Sequence, residues 1–532
     1  KAAVLASAKS QLRFCAEVQR LQRPVRCAAP DGKRARAAAA EIVRRYAQAV
    51  YDRVEQQNVF HQAVLRAQDE NQKKITGIAL FNRKGRFFKE NYMNILFISL
   101  GCDKNLVDSE VMLGLLDKKG YQIVDSEEDA DIIVVNTCCF IHDAKEESIQ
   151  TILEMVEYKK EGKLKALIVT GCLAQRYQQE IIDEIPEVDA VLGTTSYDHI
   201  VEAVEEALAG NGHVVLEDVD ALPDVKEKRL VTTGGHYAYM KIAEGCDKHC
   251  TYCIIPKVRG DFRSVPMEHL LEEAQNLADG GVKELILVAQ ETTLYGVDLY
   301  GKKELPGLLH ELAQIPGIYW IRILYCYPEE ITDELINAIA AEPKVCNYLD
   351  IPIQHASDNV LKRMGRRTDQ AELRAIIGKL REKIPDICLR TTLISGFPGE
   401  TQEDFEELYR FVNEMEFDRL GVFAYSPEED TPAATMPDQI PEEVKEERQA
   451  ELMELQQDIV FDQAEDRIGE ELLVMIEGKV ADENAYVGRT YRDAPNVDGL
   501  IFVNTSEELM SGDFAKVKVT GSADYDLIGE LL

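Results

Sequence analysis

The stretch Gly245-Cys246-Asp247-Lys248-His249-Cys250-Thr251-Tyr252-Cys253 places three cysteines in one loop with the spacing C-x-x-x-C-x-x-C. A structural zinc ion takes four protein ligands, and its cysteines usually form C-x-x-C pairs on separate turns. A four-iron four-sulfur cluster also has four irons to ligate, so three thiolates would leave one iron open to a small molecule. The alternatives are an irregular zinc knuckle and a redox dithiol with a spare cysteine.

Six predicted strands, separated by helices, begin just before this loop and continue after it. They are Tyr237–Ile242, Glu284–Ala289, Ile321–Tyr327, Tyr348–Ile353, Cys388–Ile394 and Leu420–Tyr425. Six βα units predict an open, partial barrel of the TIM type, and the active sites of such barrels lie at the C-terminal ends of the strands. Because the cysteine loop follows the first strand, we expect it at the mouth of the barrel.

The cysteine loop resembles that of the radical S-adenosylmethionine (SAM) superfamily. The resemblance implies a four-iron four-sulfur cluster held by Cys246, Cys250 and Cys253, with the amino and carboxylate groups of SAM on the fourth iron. One electron would then cleave SAM to a 5′-deoxyadenosyl radical.

Two other segments at the ends of barrel strands resemble SAM-binding segments of this superfamily. The residues concerned are Gln290, Glu291, Gly396, Gly399 and Glu400. Residues 290–291 follow the second strand, where the superfamily places contacts to the amino group of SAM. Residues 395–400 follow the fifth strand and resemble a motif near the adenosyl group, in which glycines permit close backbone approach. Taken alone, however, Gly-Phe-Pro-Gly is merely a turn.

His355 lies at the mouth of the fourth predicted strand, within Ile353-Gln354-His355-Ala356-Ser357. Two interpretations are equally open for this residue. It could contact the substrate, or it could be a structural histidine held by hydrogen bonds.

A second strand-and-helix pattern precedes the barrel. Its predicted strands are 94–100, 131–136, 165–170 and a short one near 189–192. Continuous apolar runs such as Ile132-Ile133-Val134-Val135 indicate strands that are buried on both faces of a parallel sheet. We therefore predict a Rossmann-like βα domain over residues 93–210.

Three cysteines of this first domain occupy equivalent positions. Cys102, Cys138 and Cys172 each lie just past a predicted strand and open the following helix. Because the C-terminal ends of parallel strands share one edge of the sheet, the three thiols could converge there. Each cysteine taken singly suits a buried structural role, but their identical placement favours a second cluster.

A narrower resemblance follows from Gly101-Cys102, Asn136-Thr137-Cys138 and Thr170-Gly171-Cys172-Leu173. From Met93 to the C-terminus the chain resembles the methylthiotransferases. That family implies an auxiliary four-iron four-sulfur cluster on the three cysteines and a C-terminal TRAM domain. One departure is Cys139, where glycine is more usual. It could compete with Cys138 as a ligand, although the Asn-Thr-Cys register favours Cys138.

The resemblance also implies the reaction. One SAM would donate a methyl group to a sulfur held on the auxiliary cluster, and a second would be cleaved at the other cluster. The radical would abstract hydrogen from the substrate, and the methylthio group would transfer to that carbon. Two SAM molecules are then consumed per turnover, with an electron donor and a sulfur donor that the sequence does not identify. No catalytic residue is assigned beyond the clusters.

The remaining predicted parts are a radical SAM core over 232–440, a helical connector over 441–468 and a TRAM domain over 469–532. The last part alternates in strand fashion, as in Leu472-Leu473-Val474-Met475-Ile476, and predicts a small five-stranded OB-like barrel. The whole chain is therefore predicted to be of the α/β class.

Two types of methylthiotransferase compete, one acting on adenosine in tRNA and one on an aspartate of small-subunit ribosomal protein uS12. This sequence resembles the second type at residues 99–110, 243–246, 348–355, 493–499 and 524–529. Residues 468–532 contain 13 acidic and 5 basic residues, whereas a domain that grips tRNA phosphates should be basic. We therefore predict methylthiolation of the aspartate β-carbon. The alternatives are the tRNA enzyme and a non-catalytic, cluster-bearing RNA- or ribosome-binding module.

Charge divides the chain into two unequal parts. Residues 1–92 contain 19 Lys and Arg against 8 Asp and Glu, whereas the rest contains 41 against 87. The strong negative charge of residues 93–532 attracts basic partners toward the protein. Because Met93 begins a clear strand, we expect it to be a natural start, preceded by a basic extension of unknown role.

The cysteine count and the hydropathy indicate the kind of cellular compartment to expect for this protein. The chain has 12 cysteines, no recognisable secretory signal and no run of 18 apolar residues. Cysteines that cluster at strand ends suit metal ligands in a reducing compartment better than a disulfide framework. We therefore expect a cytoplasmic monomer without a membrane partner.

Overall fold

The computed structural model describes residues 93–223, 228–481 and 483–532. Its strands form two parallel six-stranded sheets, a short two-stranded ribbon and a closed five-stranded barrel. The predicted basic extension over residues 1–92 lies outside the described residues. Among the helices of the described ranges, none is long and apolar enough to cross a membrane.

The first sheet has the order β2-β1-β3-β4-β5-β6, and every pair in it is parallel. Its strands are β1 (Asn94–Ser99), β2 (Gln122–Val124), β3 (Ile132–Thr137), β4 (Ala166–Gly171), β5 (Ala190–Leu192) and β6 (Val214–Val215). Its helices are α1 (Asp103–Lys119), α2 (His142–Lys160), α3 (Cys172–Tyr177), α4 (Gln179–Glu184) and α5 (Ile200–Leu208). The four predicted strands are confirmed. The two edge strands β2 and β6, which have three and two residues, were not predicted.

Helices cover both faces of this sheet. The central strands β3 and β4 are buried at every position. Alternate residues of each strand enter two separate apolar clusters, with Ile132 and Val134 on one face and Ile133 and Val135 on the other. Burial on both faces explains why these strands are continuous apolar runs.

The second sheet has the order β14-β13-β12-β11-β10-β7, is parallel throughout and remains open between its two outer strands. Its strands are β7 (Tyr237–Lys241), β10 (Glu284–Val288), β11 (Trp320–Ile323), β12 (Val345–Asp350), β13 (Cys388–Ser395) and β14 (Arg419–Ala424). The antiparallel pair β8 (Ala243–Glu244) and β9 (Arg263–Ser264) flanks the cysteine loop. The helices are α6 (Ile255–Arg259), α7 (Met267–Asp279), α8 (Val297–Tyr300), α9 (Leu305–Ala313), α10 (Asp333–Ala341), α11 (Asp358–Met364), α12 (Gln370–Lys383) and α13 (Gln402–Met415).

The predicted partial barrel is confirmed, with differences in the bounds of its strands. The fourth barrel strand, predicted over 348–353, is β12 over Val345–Asp350. The third barrel strand was predicted to reach Tyr327, but β11 ends at Ile323. Tyr325 has a φ of +60°, in the left-handed region, which a strand cannot pass through. The chain therefore leaves the sheet at the barrel mouth.

The C-terminal part begins with the long helix α14 (Glu442–Asp466). It continues through β15 (Glu471–Lys479), β16 (Ala485–Thr490), β17 (Ile501–Asn504), β18 (Phe514–Ala523) and β19 (Asp526–Leu531). These strands close in the order β15-β16-β17-β19-β18, which confirms the predicted five-stranded barrel. Its core includes Val474, Ile501 and Val517.

Buried ion pairs join this small barrel to the second sheet. Glu284 of β10 accepts hydrogen bonds from Arg322 Nε at 2.8 Å and from Arg489 Nη2 at 2.7 Å, and all three side chains are fully buried. Burial alone would raise the pKa of Glu284, but the two guanidinium groups bring it below its usual value. Removing either arginine would leave an uncompensated buried charge.

A buried carboxyl group in the small barrel makes its stability depend on pH. Burial raises the pKa of Asp526 to about 7, although its hydrogen bond from Leu500 N at 2.8 Å opposes this. An aspartate in the unfolded chain has a pKa of about 3.9. Between about pH 3.9 and about pH 7, the folded state therefore keeps a proton on Asp526 that the unfolded state has lost. This proton binding stabilises the fold at low pH, and the stabilisation is lost as the pH rises through that range.

We expect Asp526→Asn to remove this dependence, because an amide cannot ionise. Relative to the unaltered protein, the midpoint of thermal unfolding should rise more at pH 8 than at pH 5. Scanning calorimetry at both pH values measures the difference. Equal shifts at the two pH values would show that Asp526 is ionised throughout.

Candidate active site with two groups of three cysteines

Cys246, Cys250 and Cys253, here called the loop triad, lie between β8 and α6 at the C-terminal end of β7. Cys246 N donates to Gly260 O at 3.1 Å, and Cys253 N donates to Cys250 O at 3.0 Å. Gly245 has a φ of +78°, and a Cβ atom there would lie 2.0 Å from the carbonyl oxygen of Asp261. Only glycine therefore fits at the start of this loop.

The chemistry of the loop triad fits an iron–sulfur cluster. Burial raises the pKa of the Cys246 thiol to about 11, and burial also raises that of Cys253, with a further contribution from Cys250. Thiols in such surroundings ionise when a cationic metal centre supplies the opposing charge. None of the ten cysteines in the described ranges forms a disulfide.

Within those ranges, no three His, Cys, Asp or Glu side chains close around a single metal ion. A four-iron cluster does not require this, because each thiolate binds a different iron. The cluster on the loop triad stays a prediction, with which this arrangement is compatible.

Cys102, Cys138 and Cys172, here called the edge triad, meet at one edge of the first sheet. Cys102 precedes α1, Cys138 follows β3 and Cys172 begins α3, and the strands before them are neighbours in the sheet. A Cβ atom on Gly101 would lie 3.1 Å from Cys138 Sγ. Burial raises the pKa of Cys138, and the nearby Cys172 and Cys102 raise it further. The three thiols thus lie near enough to influence one another electrostatically, and their role as cluster ligands stays a prediction.

Two asparagines hold the strand ends that present the edge triad. Asn105 Nδ2 donates to Leu100 O at 3.0 Å and to Thr137 O at 2.9 Å. Asn136 Nδ2 donates to Asn105 O at 2.9 Å. Asn105 was not predicted as part of the site, because its two partners, Leu100 and Thr137, lie at strand ends that are distant from each other in sequence.

Cys138 and Cys139 have different surroundings. Cys139 is fully buried in the apolar cluster that contains Ile152 and Leu173, and burial raises its pKa to about 12. Cys138 lies within electrostatic reach of both other cysteines of the edge triad. The geometry therefore favours Cys138 over Cys139 as the third member.

Gln290 and Glu291 lie beside the loop triad with unsatisfied polar atoms. Glu291 is fully buried; its Oε1 accepts a hydrogen bond from Thr293 N at 2.9 Å, and its Oε2 has no partner among the described residues. Burial raises the pKa of Glu291 to about 7. Gln290 Nε2 donates to Glu244 Oε1 at 2.7 Å, and Gln290 Oε1 has no partner among the described residues. Two orphaned acceptors suit a cationic ligand group.

Arg366 is a candidate that the sequence analysis missed. Its Nη2 donates to Pro352 O at 3.0 Å, but in the described part of the chain Nε and Nη1 are buried without a partner. Its guanidinium carbon lies 4.4 Å from the ring centroid of Tyr327, whose hydroxyl is 3.8 Å from Cys250 Sγ. Arg366 thus offers unpartnered cationic donors near Cys250 of the loop triad. No local motif marks it.

Gly396 and Gly399 have φ values of +68° and +80°. A Cβ atom at Gly396 would lie 2.3 Å from Lys445 Cγ, and one at Gly399 would lie 2.3 Å from Arg363 Cζ. The close approaches at both glycines are therefore made by protein side chains. Their predicted proximity to SAM stays a prediction.

The side chain of Glu400 is held by protein partners, whereas His355 is hydrogen-bonded through only one of its ring nitrogens. Glu400 Oε1 accepts a hydrogen bond from Arg448 Nη1 at 2.6 Å, and its Oε2 lies 3.5 Å from His355 Nε2. His355 Nδ1 accepts a hydrogen bond from Ser357 N at 2.9 Å, so its proton belongs on Nε2. Both side chains are buried. Because Nε2 has no hydrogen-bond partner among the described residues, both interpretations of His355 stay open.

Three segments of the chain match known families. Residues 94–193 match the uncharacterized protein family UPF0004, residues 240–412 match the radical SAM superfamily, and residues 468–532 match the TRAM domain. Among solved structures, the radical SAM methyltransferase TsrM from Kitasatospora setae, with cobalamin and a [4Fe-4S] cluster bound, is 12% identical with a TM-score of 0.45. That similarity covers 64% of this chain and 77% of TsrM.

Relatives of known name match most of the chain. The ribosomal protein uS12 methylthiotransferase RimO from Lachnoclostridium phytofermentans is 67% identical over 437 residues, which is 82% of this chain and 99% of that protein. RimO from Desulforamulus reducens is 51% identical over 441 residues, again 82% and 99%. Identity at this level over the full length of the relatives shows the family: the chain belongs to the RimO-type radical SAM methylthiotransferases.

Proposed function

We propose that this protein adds a methylthio group to the β-carbon of an aspartate in ribosomal protein uS12. The observation that carries the proposal is the juxtaposition of the two cysteine triads. Arg259, in the helix that follows the loop triad, places its Nε 3.4 Å from Sγ of Cys172 in the edge triad. A reaction that combines a radical with a sulfur donor needs both centres within reach of one substrate.

Each triad holds one four-iron four-sulfur cluster in this proposal. When bound, the clusters and two SAM molecules per turnover would supply the electron, radical, sulfur and methyl group that no side chain can provide. The loop triad leaves one iron open for SAM. Gly396, Gly399 and Glu400 belong to the segment expected near the adenosyl group.

The protein's own contribution begins with the amino-acid end of SAM. Glu291 Oε2 is placed to accept from the ammonium group, and Gln290 Oε1 lies next to it in the chain. The unpartnered Nε and Nη1 of Arg366 are placed to donate to the carboxylate. Because these groups are buried, they orient the ligand and keep water away from it.

Lys104 suits the carboxylate of an aspartate substrate. It is close in sequence to Cys102, its side chain is 6% exposed, and its Nζ lies 3.3 Å from the ring centroid of Tyr325. No hydrogen bond or ion pair with another residue of the described ranges engages this ammonium. An ammonium group that has no carboxylate partner in the described structure can pair with the carboxylate of a ligand.

The charge of the small barrel supports a protein substrate over tRNA. Arg489 and Arg492, two of the 5 basic residues in 468–532, are buried against Glu284 and Asp418. The other three are exposed lysines, Lys479, Lys516 and Lys518. Four of the 13 acidic residues, Glu477, Asp493, Asp498 and Asp526, also have buried side chains, and the outward face keeps a net negative charge. Such a surface repels phosphates and attracts a basic ribosomal protein.

The direct test offers both substrates to the enzyme together. We would reconstitute the protein without oxygen, add SAM and a reductant, and supply uS12 and tRNA in one mixture. Mass spectrometry should locate a methylthio group on an aspartate of uS12. A modified tRNA adenosine would establish the competing tRNA function. SAM cleavage without product in a cluster-loaded protein would contradict both, and no cleavage at all would support the non-catalytic binding module.

The ligand assignment predicts different outcomes for two adjacent cysteines. Cys138→Ala should lose about half of the bound iron, because one of two four-iron clusters would be missing. Cys139→Ala should keep nearly all of it, since Cys139 packs in the apolar core. Iron and sulfide analysis after anaerobic reconstitution measures this. The reverse pattern would make Cys139 the ligand.

Lys104→Met should weaken the binding of a uS12 peptide that contains the target aspartate by about tenfold, because a charged hydrogen bond is lost. The same peptide with asparagine at that position should bind both proteins alike. Fluorescence anisotropy measures the affinity of the unaltered protein and of Lys104→Met for each of the two peptides. Lys119→Met is the matched control, because Lys119 lies at the other end of α1 and pairs with Glu205 at 2.7 Å. An equal loss with both peptides would rule out the carboxylate contact.

A further inference from the structure

A buried arginine links the two cysteine triads. Arg259 is the last residue of α6, the helix that begins just after Cys253. Its side chain is 2% exposed, and its Nε donates to Cys172 Sγ across 3.4 Å. One short segment therefore contains a member of the loop triad and a hydrogen-bond donor to a member of the edge triad.

The other two nitrogens of this guanidinium are held by the first domain and by β8. Nη1 donates to Asp108 Oδ2 at 2.8 Å and to Glu244 Oε2 at 3.1 Å, while Nη2 donates to Asn105 Oδ1. A planar fork engaged at all three nitrogens has one orientation. The Nε–H group is therefore fixed toward the sulfur.

The charges around Arg259 balance. Lys241 Nζ also pairs with Asp108 and, at 2.7 Å, with Glu244 Oε2, so two cations face two carboxylates. All four side chains are buried. Removing the guanidinium charge would leave a net negative charge beside Cys172, in surroundings that screen it poorly.

A second buried arginine shows that docking alone does not require a contact to sulfur. Arg229 also bridges the first domain and the barrel, with Nε 3.6 Å from Glu110 Oε2 and Nη1 3.3 Å from Glu273 Oε1. Its third nitrogen donates to the backbone of Tyr239. Arg229 thus has a docking role without approaching either triad, whereas Arg259 directs a donor at a proposed cluster ligand.

We propose that Arg259 is a positioning residue that raises the reduction potential of the edge-triad cluster. An N–H···S hydrogen bond and a fixed positive charge both stabilise the reduced, more negative cluster. The inference rests on the proposed function only in assuming that the edge triad holds a cluster; it does not depend on which substrate is modified.

The test measures the potential of the edge-triad cluster in isolation from the other. In the full chain, alanine at the three loop-triad positions leaves one cluster to observe. A redox titration followed by electron paramagnetic resonance gives its midpoint potential. Arg259→Met should shift that potential to a more negative value. Arg259→Lys, which keeps the charge but lacks the Nε–H donor, should shift it less and in the same direction.

Arg229→Met in the same background is the matched control. It removes a buried arginine between the same two parts of the protein, so a general loss of docking should appear there too. We expect its cluster potential to equal that of the parent. A shift as large as that of Arg259→Met would mean that docking sets the potential, and the proposal would be wrong.

The remaining outcomes are also decisive. An unchanged potential in an iron-loaded Arg259→Met protein overturns the proposal. If Arg259→Met binds no iron, the midpoint potential of Arg259→Lys is decisive. A shift to a more negative potential supports the proposal, and an unchanged potential overturns it. Iron loss in both, with iron retained in Arg229→Met, would assign Arg259 to cluster retention and not to tuning. A parent that holds no cluster would refute the edge-triad assignment itself, and the inference with it.

Discussion

Parallel strand pairing is the constraint on which both cysteine triads depend. In each six-stranded sheet every strand runs in the same direction, so the C-terminal ends lie along one edge. The edge triad draws its members from the ends of three neighbouring strands, β1, β3 and β4. The loop triad follows β7 at the equivalent edge of the second sheet. A change of direction in any of these strands would carry a cysteine to the opposite end of the domain.

Buried ion pairs, more than apolar packing alone, set how the three parts meet. Asp108 with Arg259 joins the first sheet to the barrel, and Glu284 with Arg489 joins the barrel to the small C-terminal barrel. Burying charges costs desolvation energy, so such pairs add little net stability. They do penalise any arrangement that separates the partners. We infer that their main contribution is to fix the orientation of the three parts relative to one another.

Unsatisfied polar groups at the barrel mouth mark residues that can face a ligand. Glu400 is engaged with protein partners, although its position at a strand end suggested function, whereas His355 Nε2 has no hydrogen-bond partner among the described residues. Glu291 and Arg366 each retain buried atoms without a partner in the described structure. Because an unsatisfied buried polar group is costly, its presence indicates a ligand that supplies the missing bond.

The sequence by itself determined the features that depend on local spacing and periodicity. The loop triad needs only the register of Cys246, Cys250 and Cys253, and the apolar runs of β1, β3 and β4 reveal a buried parallel sheet. Only the tertiary structure decided which distant side chains meet. The contact of Arg259 with Cys172, the unpartnered atoms of Arg366 and the end of β11 before Tyr325 follow from how separate segments pack. Local patterns record the burial of a face, but they do not record which distant residue covers it.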